Sequence, residues 1–163
     1  MTRCWVIDTS PLILLSKIGQ VELLHELSDE MVIPAGVAQE ILQGAKNDVA
    51  RRWLEHQGKN WVQDIGKIHS TISVWGLGLG ESEVFSYIKT HPNYIAIVDD
   101  RAARNCACTL NIKVRGTLGV LLLAKKMGKI AQLKPLLIKL QDVGLRINSR
   151  LINEALKLSG EQD

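Results

Sequence analysis

The stretch Cys4-Trp5-Val6-Ile7-Asp8-Thr9-Ser10-Pro11 drives an apolar run straight into a carboxylate, a hydroxyl residue and then Ser-Pro. A short apolar run bounded by turn-forming residues reads as a buried strand. Ser10-Pro11 reads as an N-cap followed by the first helical residue. Asp8 then falls where a strand hands over to a helix, the usual place for ligand chemistry in a parallel α/β sheet. The same position also suits a carboxylate that caps the helix or accepts from backbone donors in a tight turn. Which role applies depends on whether other acids gather around Asp8.

Working outward, the alternation of strand and helix patterns continues. Pro11 to Ile18 is a two-turn helix punctuated by Gly19, and Val21, Leu23, Leu24 and Leu27 recur at helical spacing with His25 on the solvated side. Met31-Val32-Ile33, closed by Pro34, reads as a second buried strand. Pro34 opens a helix with Val37, Ile41 and Leu42 inward, and Glu40 beside that stripe is either a surface-pair residue or an acid aimed at a pocket. Gly44 ends that helix, Asp48 to His56 forms the next, and Trp61 to Ile65 alternates as a short edge strand. Tyr94 to Val98 is a strand ending in Asp99-Asp100-Arg101, and a helix over 102–110 follows. Ile112 to Val114 is a short strand, and Arg115-Gly116-Thr117 leads into a helix over 118–127. Residues 133–158 form two helices broken at Gly144, with Leu145-Arg146-Ile147 a further short strand and Asn148 or Ser149 as a cap.

A chain of 163 residues with 46% hydrophobic and 23% charged residues fits one domain, 1–163. A net charge of +3 permits a polyanionic partner without requiring one. The sequence contains no apolar run long enough to span a membrane. An acid at Asp8 interrupts any signal-peptide pattern, so a cytoplasmic protein is expected. Three cysteines suit a reducing compartment, and the lone Cys106-x-Cys108 pair reads as packing residues rather than a zinc site.

Gly76, Gly78 and Gly80 alternate just before Glu81-Ser82-Glu83. The dinucleotide fingerprint needs a third glycine three residues after the second, where Glu81 stands, and no Gly-Lys-Ser/Thr follows. An acid at a helix N-terminus would repel a pyrophosphate. The glycines therefore lead flexibly into a helix over 81–90, with Val84, Phe85 and Ile88 buried.

Acids thus recur at strand ends and helix starts: Asp8, Glu40, Glu81, Asp99 and Asp100. In a parallel sheet the C-terminal strand ends share one edge, so Asp8 and Asp99/Asp100 can converge there. Carboxylates gathered in one cleft repel unless a cation neutralises them, and oxygen-only ligands favour Mg²⁺ or Mn²⁺. Arg101, Arg104 and Arg115, near the same strand ends, are candidates for phosphate contacts or for surface ion pairs.

The ordered set Val6-Ile7-Asp8-Thr9-Ser10-Pro11-Leu12, Val32-Ile33-Pro34 with Val37 to Ile41, Gly80-Glu81-Ser82-Glu83, Val98 to Arg104 and Gly116 to Leu121 resembles the PIN-domain nucleases over about residues 4–125. It is closest to short prokaryotic members related to VapC-like toxins. The resemblance implies a three-layer α/β/α fold with a central parallel sheet and metal-dependent endoribonuclease activity. It makes Asp8, Glu40 and Glu81 the first three metal-binding acids, with the fourth at Asp99 or Asp100. In the resulting reading Asp8, Glu81 and Asp99/Asp100 hold Mg²⁺ or Mn²⁺ while Glu40 orients or deprotonates the attacking water. Ser10 and Thr117 become polar helpers on the walls. Glu81 stands where many relatives have Asp, a longer side chain with a different reach. The resemblance further implies an RNA substrate, a small antitoxin partner and a homodimer, with residues 133–158 serving dimer or partner contact. Two rivals are a catalytically inactive nucleic-acid- or partner-binding module and a nucleotide-binding protein using Gly76–Gly80. Metal binding at the acids separates the first from a nuclease, and nucleotide binding without a divalent ion would favour the second.

Overall fold

A computed structural model of the protein describes residues 2–161. Its core is a sheet of five parallel strands: β1 (Cys4–Ile7), β2 (Glu30–Pro34), β3 (Val62–Gln63), β4 (Tyr94–Ile97) and β5 (Val114–Arg115), in the order β3-β2-β1-β4-β5. All four residues of β1 are buried, because this strand pairs on both edges and is covered on both faces. The two-residue strands β3 and β5 close the edges, where unbroken backbone donors would otherwise invite pairing.

Around the sheet lie α1 (Thr9–Lys17), α2 (Leu23–Leu27), α3 (Ala35–Leu42), α4 (Val49–His56), α5 (Ser70–Ser73), α6 (Leu79–Thr90), α7 (Arg101–Thr109), α8 (Thr117–Lys126), α9 (Lys134–Asp142) and α10 (Ser149–Leu158). Together they make a three-layer α/β/α arrangement. Helix α3 packs on α6, and α1 packs on α3, α4 and α8. Among the described residues no helix is long and apolar enough to cross a membrane.

Several boundaries differ from the sequence reading, each for a local reason. Helix α1 begins at Thr9, so Asp8 rather than Ser10 holds the N-cap position, and Pro11 is the third helical residue. Pro there removes only an N–H that has no intrahelical partner. Helix α6 begins at Leu79, so Gly80 lies inside its first turn. Leu42 is exposed, because the helical rotation that buries Val37, Ala38 and Ile41 carries the next residue round to solvent. Leu145-Arg146-Ile147 is a connector rather than a strand, with Leu145 and Ile147 half-buried and Arg146 exposed, lying between Gly144 at φ +109° and the cap Asn148, whose side chain accepts from Leu151 N–H. Cys4 and Cys106 are buried packing thiols, whereas Cys108 is exposed. His25 is not simply solvated: it stacks on Trp61 with ring centroids 5.3 Å apart and pairs with Glu22.

The α3–α6 contact depends on a missing side chain. A Cβ at Gly36 would lie 1.9 Å from Glu83 Oε2 and 2.8 Å from Leu79 Cγ. Gly to Ala inside a helix ordinarily stabilises by about 1 kcal/mol. Here Gly36→Ala is expected to destabilise by about 1–3 kcal/mol through overpacking. Urea denaturation reads the sign directly.

Candidate active site

The strand order reverses between β1 and β4: the chain runs outward from β1 through β2 to β3, then returns to the other side of β1 as β4. A crevice opens at the C-terminal ends of two such strands, because the connections leave in opposite directions. Asp8 follows β1 directly, and its N–H donates to the Ile97 carbonyl of β4 at 3.0 Å. Asp99 follows β4, Asp100 caps α7, Glu40 comes from α3 and Glu81 from the first turn of α6. These five acids, with Thr9, Ser10, Ile13 and Leu14, line one cavity of about 430 Å³.

Each acid is held differently. Glu40 accepts from the Thr9 hydroxyl at 2.5 Å and from the Gly80 backbone N–H at 2.7 Å, so one carboxylate ties α3 to the starts of α1 and α6. This places Glu40 in the pocket rather than in a surface pair. Gly80 is required for that approach: a Cβ there would sit 2.9 Å from Glu40 Oε1 and 3.2 Å from Asp8 Oδ1. Asp99 accepts from the Thr117 backbone N–H at 2.8 Å and from its hydroxyl at 2.6 Å, with the Ser10 hydroxyl at 3.5 Å. Asp100 accepts from Ala103 N–H at 3.0 Å and caps α7. Asp8 occupies a cap position yet its side chain makes no capping hydrogen bond.

Burial pushes the Asp8 carboxyl up to about 7; the Thr9 backbone N–H opposes this, and repulsion from Glu81, Glu40 and Asp99 adds to it. Glu81 is raised as well, first by burial and then by Asp100 and Glu40. No lysine or arginine lines the cavity. Among the described residues no three His, Cys, Asp or Glu side chains already sit together as a closed ligand group; the acids form the walls of an open cavity. The donor chemistry nonetheless fits a hard divalent cation, being all oxygen and all of one sign of charge.

The remaining candidates separate. Ser10 lines the acid cavity. Thr117 is buried behind it, where its hydroxyl and N–H hold Asp99. Arg104 and Arg115 line a neighbouring cavity, and Arg101 lines neither. None of the four ion pairs among the described residues involves these three arginines, so they do not neutralise Asp99 or Asp100 through direct pairing. Sequence reasoning missed Thr9 and Gly80, whose roles follow from the fold bringing α1, α3 and α6 together. Glu83, two residues after Glu81, is instead buried against Gly36 and does not line the cavity.

The DUF3368 family model, a PIN domain, matches residues 4–161. The chain therefore belongs to the PIN-domain family, a superfamily whose members are generally nucleases. That match continues beyond residue 125 through α9 and α10, so both C-terminal helices lie within the family's own extent. No curated protein matches the chain.

The raised Asp8 carboxyl has a defined effect on stability. A group that binds its proton more tightly folded than unfolded stabilises the fold at low pH, and that stability is lost as pH rises through its folded value. Metal-free protein should therefore lose stability between about pH 4 and about pH 7, the interval bounded by the ordinary and folded Asp8 values. Asp8→Asn is expected to flatten this interval and to raise stability at pH 8 by about 1–3 kcal/mol. Thermal melts across the pH series measure both effects.

Proposed function

We propose that the chain is an endoribonuclease dependent on Mg²⁺ or Mn²⁺, hydrolysing RNA phosphodiester bonds at the carboxylate-lined cavity. The observation that carries this reading is the convergence of Asp8, Glu40, Glu81, Asp99 and Asp100 on one cavity without a lysine or arginine among them. Family membership supports a nuclease, and the oxygen-only donor set supports the choice of cation.

In this reading Asp8, Glu81, Asp99 and Asp100 would hold the cation. Bound there, the ion supplies an activated water and charge for the leaving oxygen. Glu40 has two acceptor sites engaged by Thr9 and Gly80, and a carboxylate offers about four. The remainder orient a water and take its proton. Thr117 fixes Asp99 through two hydrogen bonds, so that carboxylate keeps its place while substrate exchanges. Ser10, on the wall beside Asp99, donates to a phosphate oxygen. The toxin role in a pair with a small antitoxin, a cytoplasmic setting, and use of α9 and α10 in a homodimer or partner contact belong to the same proposal. It treats 1–163 as one domain.

The test is cleavage of end-labelled single-stranded RNA and its DNA counterpart, with Mn²⁺, Mg²⁺ or a chelator. Cutting of the RNA alone, abolished by the chelator and reduced at least about 10³-fold by Asp8→Asn, is the expected result. Retained cleavage in a folded Asp8→Asn protein would contradict the assigned chemistry. Wild-type protein that binds RNA and never cuts it would favour an inactive binding module.

A further inference from the structure

A second cavity, of about 440 Å³, lies beside the acid cavity and shares Asp99 with it. Arg104 of α7, Arg115 of β5 and Arg146 of the α9–α10 connector line it. Its lining also includes the apolar residues Leu118 and Leu122 of α8 and Ile147. None of the ion pairs among the described residues involves these three arginines, and Arg115 Nε has no hydrogen-bond partner there.

Two glycines shape this groove. A Cβ at Gly116 would stand 3.1 Å from Asp99 Oδ1 and 3.3 Å from Arg104 Nη1, so this bare backbone position separates the shared Asp99 from the guanidinium. A Cβ at Gly119 would lie 2.9 Å from Arg115 Cγ, so the bare helix surface there lets the Arg115 stem lie flat while its Nη1 donates to the Gly119 carbonyl at 3.4 Å. Glycine inside a helix costs about 1 kcal/mol relative to alanine. Its presence at Gly119, in the first turn of α8, goes with the close approach of Arg115.

Guanidinium groups bind phosphate oxygens in a planar, bidentate manner, and unpaired ones beside an apolar wall match a phosphate joined to a sugar and base. We infer that this groove is a subsite for a nucleotide of single-stranded RNA next to the one over the carboxylates, with Arg146 as the phosphate clamp supplied by the C-terminal segment. The inference rests on the nuclease reading for the identity of the strand as substrate, and it assigns the α9–α10 connector, as distinct from the two helices, to that substrate. A free acidic peptide would satisfy the arginines but not the continuity with the acid cavity through Asp99.

The experiment is equilibrium binding of fluorescein-labelled single-stranded oligouridylate to the full chain in Ca²⁺ buffer, with the RNA verified intact. Arg146 is exposed, and the α9 residue Lys139, also exposed and outside both cavities, supplies a control with the same charge change. Arg146→Glu should weaken binding at least about tenfold. Arg146→Ala should reduce the slope of log K against log salt by about 0.7, the value for one phosphate contact on a single strand. Lys139→Glu should stay within about twofold of wild type, below the effect of one phosphate contact. Equal weakening by Arg146→Glu and Lys139→Glu would overturn the subsite, as would wild-type protein that does not bind the RNA. Displacement of the RNA by polyglutamate as effectively as by unlabelled oligouridylate would also overturn it. Cleavage with Mn²⁺, assayed separately, keeps the two readings apart. Cutting with an indifferent Arg146 removes only the subsite, and Arg146-dependent binding without cutting removes only the nuclease.

Discussion

The carboxylates of Asp8, Glu40, Glu81, Asp99 and Asp100 face one another across a single cavity at the point where the strand order reverses, and burial keeps water from screening Asp8. Mutual repulsion of this kind is costly unless something balances it. Much of the surrounding architecture holds the acids in place rather than neutralising them. Glu40 bridges Thr9 and Gly80, Thr117 grips Asp99 from behind, and Asp100 caps α7. The helices approach this closely at two glycines: Gly36 makes room for Glu83, and Gly80 makes room for Glu40 and Asp8. Hydrogen bonds thus fix the positions of acids that repel one another, and this is the arrangement on which the proposed cation site rests.

The sheet explains why the acids meet at all. Asp8 and Asp99 are far apart in sequence, but β1 and β4 pair in parallel register from Cys4–Tyr94 to Ile7–Ile97. Their ends therefore emerge side by side. The arginines sit differently: Arg104 and Arg115 line the neighbouring groove rather than the acid cavity, and Arg104 and Asp99 both approach Gly116. An extended polyanion can use both regions, with its backbone on the basic groove and one phosphate over the acids.

Much of this was legible in the sequence because period and punctuation were strong. The apolar runs at Val6-Ile7 and Ile95 to Val98 end abruptly in acids, which marked both the strands and the edge where chemistry belongs. Glu40 was ambiguous because helical periodicity places it at the rim of the stripe, and only the docking of α3 against α6 turns it inward toward Gly80. The glycine-rich lead-in suggested a helix starting at Glu81, whereas α6 starts at Leu79. In fact Gly76 carries the positive φ of +66° and Gly78 the cap, while Gly80 is helical and buried by contacts no local pattern reveals. The same limit hid the groove beside Asp99. Arg146 lies in a segment whose short apolar character suggested a strand, and its proximity to Arg104 and Arg115 exists only after α9 and α10 have packed.

The central claim of the proposed function is that buried Asp8 and the acids around it bind a divalent cation, and proton counting during metal binding tests it most directly. Calorimetric titration of Mn²⁺ at pH 7, repeated in buffers of different ionisation enthalpy, gives the number of protons released on binding. With the Asp8 carboxyl at about 7, roughly half of the molecules carry that proton, and a cation displaces it. The account predicts saturable binding with proton release that grows as the pH falls from 7 toward 6 and is diminished in Asp8→Asn. Saturable Mn²⁺ binding with no proton release, equally tight in Asp8→Asn, would place the metal elsewhere and contradict it.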